Sequence, residues 1–142
     1  MMGEIYQKIV EKLENLKSKG KIDQVIKDKI EFDPARTYGN VVAYVRLART
    51  GEAFLTNVEN ERVYAFEIGI WISKQLGEEK AMQKEREILD DILNEFDKDF
   101  TLGGTCLGIE PLVWEGGAFA KEGQVWLERW IILKAKVSVS IP

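Results

Sequence analysis

The first residues to weigh for chemistry are the glycines and carboxylates between residues 91 and 111, where the chain reads DILNEFDKDFTLGGTCLGIEP. A phosphate-binding loop needs glycines after a strand, and a lysine before a helix whose N-terminal amides face the anion. Here Gly103 and Gly104 follow a predicted helix, and no lysine stands at the required offset. The C-terminal end of a helix is partially negative and repels phosphate. The spacing therefore predicts a helix end and a turn.

The chain contains no histidine and one cysteine, Cys106. Because histidine is the usual partner of a serine or cysteine nucleophile, dyads and triads that use it are excluded. One cysteine also excludes an internal disulfide and a four-ligand zinc site of the usual kind. The acids do not follow the spacing of a calcium-binding loop. We therefore predict no catalytic centre, metal site or cofactor.

One catalytic alternative remains, a carboxylate pair formed by Glu67 and Glu128 on two predicted strands. Both side chains can point into one cleft, where paired carboxylates serve as general acid and base. The competing interpretation is that each is a surface acid or an ion pair with Arg129 or Arg62.

Two amphipathic helices are predicted. Over residues 4–19, apolar residues recur at helical spacing between lysines and glutamates, and Gly20 supplies a stop. A second apolar stripe runs from about Glu78 to Lys98, with a charged opposite face. The net charge of −4 originates here, since nine acids stand against four bases between Glu78 and Asp99. Such a face is either solvated or, in a ring, lines a channel that must not adhere to DNA.

Period-two alternation predicts strands in the rest of the chain, strongest over 64–72 and 125–141, and shorter over Val41–Leu47 and Cys106–Trp114. The order is helix, strands, helix, strands. This order predicts a single α+β domain over 1–142, whose mostly antiparallel sheet carries the two main helices on one face.

The last strand also carries large aromatic residues on its second side, because Trp126 and Trp130 alternate against the apolar set. They need a cover, which is either a helix of the same chain or a neighbouring subunit.

Two long hairpin loops are predicted, over Thr50–Glu61 and Glu115–Gly123. Each carries apolar residues among polar ones, and an exposed aromatic residue on a loop often marks a contact site. The alternative is that these side chains fold back onto their own hairpins. The density of exposed charge beside the strand edge, with these aromatic residues, predicts contacts with a partner or another copy at Arg46, Arg49, Glu52, Phe54, Leu55, Asn57, Glu59, Arg62, Phe119, Trp126 and Trp130.

The ordered pattern as a whole resembles a known family. Its parts are an N-terminal helix, a strand reading RVYAFEIGIWI, an acidic helix ending in DILNEFDKDFTLGGTC, the GIEP that follows, and a last strand reading VWLERWIILKAKVSV. Over residues 4–141 this order resembles the tail terminator or tail completion proteins of long-tailed bacteriophages and prophages. The long segment Gly20–Asn40 before the first clear strand departs from the shorter members.

The resemblance implies an α+β subunit that assembles as a homo-hexameric ring, caps the tail tube to stop its polymerisation, and joins it to the head connector. The implied partners are other copies, the major tail tube protein and a head connector or neck protein. DNA passes through the lumen without specific binding. The implied location is the virion, after assembly in the host cytoplasm, and no enzymatic activity is implied.

Other functions stay open at this point. Within the particle, the alternative is a head completion, neck or minor capsid protein. Outside it, the alternatives are a small cytosolic enzyme that uses the carboxylate pair, or a ligand-binding module built on the Trp126 and Trp130 face. No apolar run approaches the about 20 residues that a membrane helix requires, so we expect a soluble protein without membrane contact.

Overall fold

The computed structural model describes residues 2–28, 39–48, 54–58, 61–121 and 123–138. In chain order the elements are α1 (Met2–Ser18), β1 (Gln24–Lys27), β2 (Val41–Leu47), β3 (Phe54–Val58), β4 (Glu61–Ser73), the 3-10 helix η1 (Lys74–Leu76), α2 (Glu78–Asp97), β5 (Gly108–Lys121) and β6 (Gln124–Ser138). The predicted α+β class is confirmed, because two α-helices accompany a mostly antiparallel sheet.

The strands form one sheet in the order β1, β2, β4, β6, β5, and β3 pairs with β4 on the same side as β2. Among the strand pairings of the described residues, that of β1 with β2 is parallel and the others are antiparallel. Strand β4 is central, since β3 pairs with its first residues and β2 with its last. Within the described ranges β5 pairs with β6 alone, so β5 and β1 lie at opposite lateral edges of the sheet.

The core lies between the two helices and one face of the sheet, which we call the helix face. Alternate residues of β4, among them Phe66, Ile68 and Ile70, are fully buried there. Ile9 of α1 and Ile92 of α2 belong to the same cluster. Each such side chain contributes about 1.5–3 kcal/mol of hydrophobic stabilisation. The prediction that both helices pack on one face is confirmed.

The charge of α2 and of the residues that follow it is partly neutralised by other elements. The ion pairs are Lys12 with Asp99 at 3.2 Å, Lys19 with Glu95 at 3.1 Å, Lys21 with Asp91 at 3.6 Å and Arg129 with Glu85 at 3.4 Å. They leave five acids beside the four bases of the segment. The outward surface of α2 is therefore close to neutral, which argues against a strongly acidic channel lining.

The turn after α2 is formed by the glycine pair, as predicted. Gly103 has φ +68° and Gly104 has φ +81°, in the left-handed region that glycine adopts without a steric penalty. The Asp99 carboxylate accepts a hydrogen bond from the Gly103 amide at 3.0 Å, and this bond is the first cause of the lowered pKa of Asp99. These glycines turn the chain towards β5.

The loop predicted over Glu115–Gly123 is wrong in extent, because β5 continues to Lys121 with an irregular register between Trp114 and Gly117. A glycine pair in a strand is a signal for a bulge as well as for a turn. At Gly116 a Cβ atom would lie 1.5 Å from the Glu128 carbonyl oxygen, so a larger residue would clash with the backbone.

Two short strands lie where the sequence predicts none. Strand β3 falls inside the loop predicted over Thr50–Glu61, and β1 falls inside the segment Gly20–Asn40. A strand of four or five residues spans only about two periods of alternation, so its pattern does not stand out from that of a loop.

Candidate interaction surface

The sheet face opposite the helices, which we call the second face, carries its own apolar cluster. It contains Tyr44, Trp71 and Trp126, which are buried, with Trp130 and Phe119 packed against them. Trp126 and Trp130 thus lie on the face that their alternation predicts. No residue of the described helices belongs to this cluster, so the helix cover expected for these tryptophans is not seen there. Phe119 contacts Trp71 edge to face, with ring centroids 5.9 Å apart.

Tyr44 is the centre of a polar network within this cluster. Its ring crosses Gly69 so closely that a Cβ atom at residue 69 would lie 1.9 Å from the tyrosine Cζ. The Tyr44 hydroxyl is 3.1 Å from Glu67 Oε2, to which it donates, and accepts from Trp130 Nε1 at 3.0 Å. Burial, and then the charges of Glu67 and Glu128, raise the pKa of Tyr44. The hydroxyl therefore stays protonated and remains a donor at neutral pH.

Arg46 completes the network from the neighbouring strand. It is the cross-strand partner of Glu67 and donates from Nε to Glu67 Oε2 at 2.9 Å, with a second bond from Nη2. Arg46 is only 9% exposed, and in the described part of the chain its buried Nη1 has no hydrogen-bond partner. The expectation that Arg46 is an exposed charge is wrong, because the alternation of β2 turns it onto the second face.

Glu128 lies on the same face as Glu67, as expected for the carboxylate pair. Its Oε2 accepts a hydrogen bond from Trp71 Nε1 at 2.6 Å. Burial raises the pKa of the Glu128 carboxyl, and the charge on Glu67 adds to the effect, against the lowering by the Trp71 hydrogen bond. Both carboxylates therefore accept hydrogen bonds from donors within the protein. These hydrogen bonds link β2, β4 and β6.

The arginines expected as ion-pair partners lie elsewhere. Arg129 points to the helix face and contacts Glu85 of α2, because adjacent residues of a strand point to opposite faces. Arg62 is half-buried, and its Nη1 donates to the Tyr64 hydroxyl at 3.1 Å. The pairing of Arg46 with Glu67 follows from the register of β2 on β4, which periodicity within one strand does not reveal.

In contrast to the buried polar network, the outer strand β5 carries exposed apolar side chains. Leu112 is 50% exposed and Trp114 is 49% exposed, and they face Ile132 and Trp130 across the strand pair on the second face. Exposed apolar side chains on an edge strand mark a contact site. Pro111 lacks an N–H group, and this residue and the bulge that follows discourage a further strand from pairing there. The exposed side of β5 is therefore suited to contact a partner through its side chains and not through backbone pairing.

The predicted contact residues are therefore spread over several environments. Arg46, Trp126 and Trp130 are in or against the second-face cluster, as is Phe119. Arg49, Glu52 and Glu59 lie outside the described residues, and Phe54, Leu55 and Asn57 are described by the backbone of β3 only. Leu112 and Trp114 were missed, although their alternation in LVW was the available signal.

Among the described residues, no group of three or more His, Cys, Asp or Glu side chains is arranged to hold a metal ion. No helix of that part of the chain is long and apolar enough to cross a membrane. Fold and surface together define an α+β protein with one face covered by helices and an apolar outer strand. No protein-family model matches the chain, and no curated protein is significantly similar to it.

Proposed function

We propose that the chain is a structural subunit of a phage or prophage particle, which forms a ring, caps the end of the tail tube and joins it to the head connector. The observation that carries the proposal is the pair of half-exposed apolar side chains, Leu112 and Trp114, on the outer strand. A subunit that assembles permanently needs apolar surface that a partner covers. The ordered pattern of the chain, which resembles the tail terminator family, points to the same function.

The polar network on the second face supports a structural role. Glu67 accepts from Tyr44 and Arg46, and Glu128 accepts from Trp71. Through the bond from Trp130 to Tyr44, the network also holds the residue that faces Trp114 across the strand pair. A contact side chain that is supported in this way loses less conformational freedom on binding.

The proposal is tested with tail tubes polymerised from the major tail tube protein of the same particle. The purified chain is added during and after polymerisation, and tubes are examined by negative-stain electron microscopy. We expect a ring of this protein at one tube end, and shorter tubes as the amount of added protein is increased. Bare tube ends and unchanged tube lengths at every ratio contradict the proposal. Binding to isolated head connectors instead of tubes would favour the head completion function.

A further inference from the structure

A groove of about 180 Å³ lies beside the end of β2 and the start of α1. It is lined by Met2, Gly3, Tyr6, Asp28, Leu47 and Phe66. The lining is apolar apart from one polar pair, in which the Tyr6 hydroxyl donates to Asp28 Oδ1 at 2.9 Å. Leu47 and Met2 are large apolar side chains that remain exposed there, at 38% and 36%. The groove is the size of one or two large side chains.

The groove and the exposed tryptophan occupy opposite lateral edges of the same sheet. Leu47 ends β2, and β1 pairs with β2 only as far as Val45. Leu47 faces the core residue Phe66, so the groove opens on the helix face. Trp114 projects from β5 on the second face, at the far edge of the sheet.

This placement fits a head-to-tail contact between copies. Consider copies that repeat side by side in the same orientation, with their sheet edges partly overlapping. The second face at the β5 edge of one copy then lies against the helix face at the β2 edge of the next. A projection and a groove on different parts of one chain form a heterologous contact, which generates a ring when its rotation closes.

We propose that Trp114 of one copy inserts into the Leu47 and Tyr6 groove of the next copy, with Leu112 packing at the rim. This contact rests on the proposed function, since it supplies the interface between subunits that a ring needs. The groove matches tryptophan in chemistry, because an indole buries a large apolar surface and keeps one N–H donor. The exposed Asp28 carboxylate offers an acceptor for that N–H at the groove rim.

The test compares three variants with the wild type in two measurements. Self-association in solution is measured by sedimentation velocity over a wide concentration range. Capping of tube ends is measured by negative-stain electron microscopy. Trp114→Ala removes the projection, Leu47→Arg fills the groove, and Met82→Ala is the control, an exposed apolar residue of α2. Circular dichroism establishes that each variant folds. We expect the first two changes each to weaken association about 30-fold or more, as for an interface hot spot, while Met82→Ala has no effect.

Mixing sharpens the test, because Trp114→Ala keeps an intact groove and Leu47→Arg keeps an intact projection. An equimolar mixture should form one-to-one heterodimers and nothing larger. Association of Leu47→Arg at wild-type strength overturns the groove as the partner surface. Tube capping by Trp114→Ala at wild-type strength overturns the contact and leaves the proposed function standing. Wild-type protein that is monomeric at every concentration and leaves tube ends bare overturns both.

Discussion

The polar network around Tyr44 and the outer strand β5 share one face of the sheet. The network side chains find their partners within the chain, whereas the apolar side chains of β5 remain partly exposed to solvent. In the network, Glu67 and Glu128 accept hydrogen bonds from Tyr44, Arg46 and Trp71 within the chain. On β5, apolar side chains that take no part in the core remain half exposed. The residues best equipped for acid–base chemistry are therefore engaged with hydrogen-bond donors of the same chain, and the available surface is apolar. This difference favours binding over catalysis as the proposed function.

The comparison predicts that changes in the network alter folding stability, while changes on β5 alter association. The largest loss of stability is expected for Glu67→Ala, because it leaves Arg46 buried without its counter-charge. Breaking a buried ion pair in this way costs about 3–5 kcal/mol, measured by urea unfolding. Glu14→Ala on the exposed side of α1 is the control, and we expect its effect to stay within about 0.5 kcal/mol. If Glu67→Ala lowers the free energy of unfolding by no more than about 0.5 kcal/mol, as expected for the control, the ion pair is not buried.

Gly69→Ala is expected to cost about 1–3 kcal/mol, because the new methyl group overlaps the Tyr44 ring. A double-mutant cycle with Tyr44→Ala identifies the cause, since removal of the ring should relieve most of the cost. An equal cost in both backgrounds would place the strain elsewhere in β4.

Tyr44→Phe is expected to cost about 1–2 kcal/mol, because it removes one hydroxyl that serves Glu67 and Trp130 and leaves the ring in place. Unfolding of the dilute monomer in urea gives the value. Under the same conditions Trp114→Ala should change stability by less than about 0.5 kcal/mol. If Trp114→Ala proves the more destabilising of the two, the distinction between the network and the outer strand is wrong.

The smallest effect is expected from Glu128→Gln, and it depends on pH. Because the folded-state pKa of Glu128 is raised, its contribution to stability is fully present below the unfolded pKa of about 4.3 and is lost as pH rises through the folded pKa. Glutamine keeps an acceptor for Trp71 and carries no charge. The variant should therefore be slightly more stable than the wild type at pH 7, with an advantage that shrinks towards pH 4. A gain that is independent of pH would contradict this account.

Much of the second face was predictable from alternation within single strands. The pattern of the last strand places Trp126 and Trp130 opposite the core, and the positions of Glu67 and Glu128 predict their shared face. The pairing of Arg46 with Glu67 was not predictable in this way, because the register between β2 and β4 depends on packing that sequence periodicity does not encode.

The predicted surface differed from the observed one for a related reason. The glycine pair in EGGAFAKEG is a turn signal, so the sequence predicts a strand that ends at Trp114. In the sheet these glycines form a bulge, and the strand continues to Lys121. Leu112 and Trp114 thus lie within a long outer strand, where exposed side chains project from a rigid element instead of from a loop.

The most direct test of the central claim is amide hydrogen exchange, followed across the assembly of the protein on tube ends. It compares residues 108–121 of β5 and the end of β2 at Leu47 with the network residues Tyr44 and Gly69. We predict that exchange slows on β5 and at the end of β2 as rings form, and stays unchanged around Tyr44 and Gly69. Slower exchange at the network with no change on β5 would contradict the assignment of β5 as the contact surface.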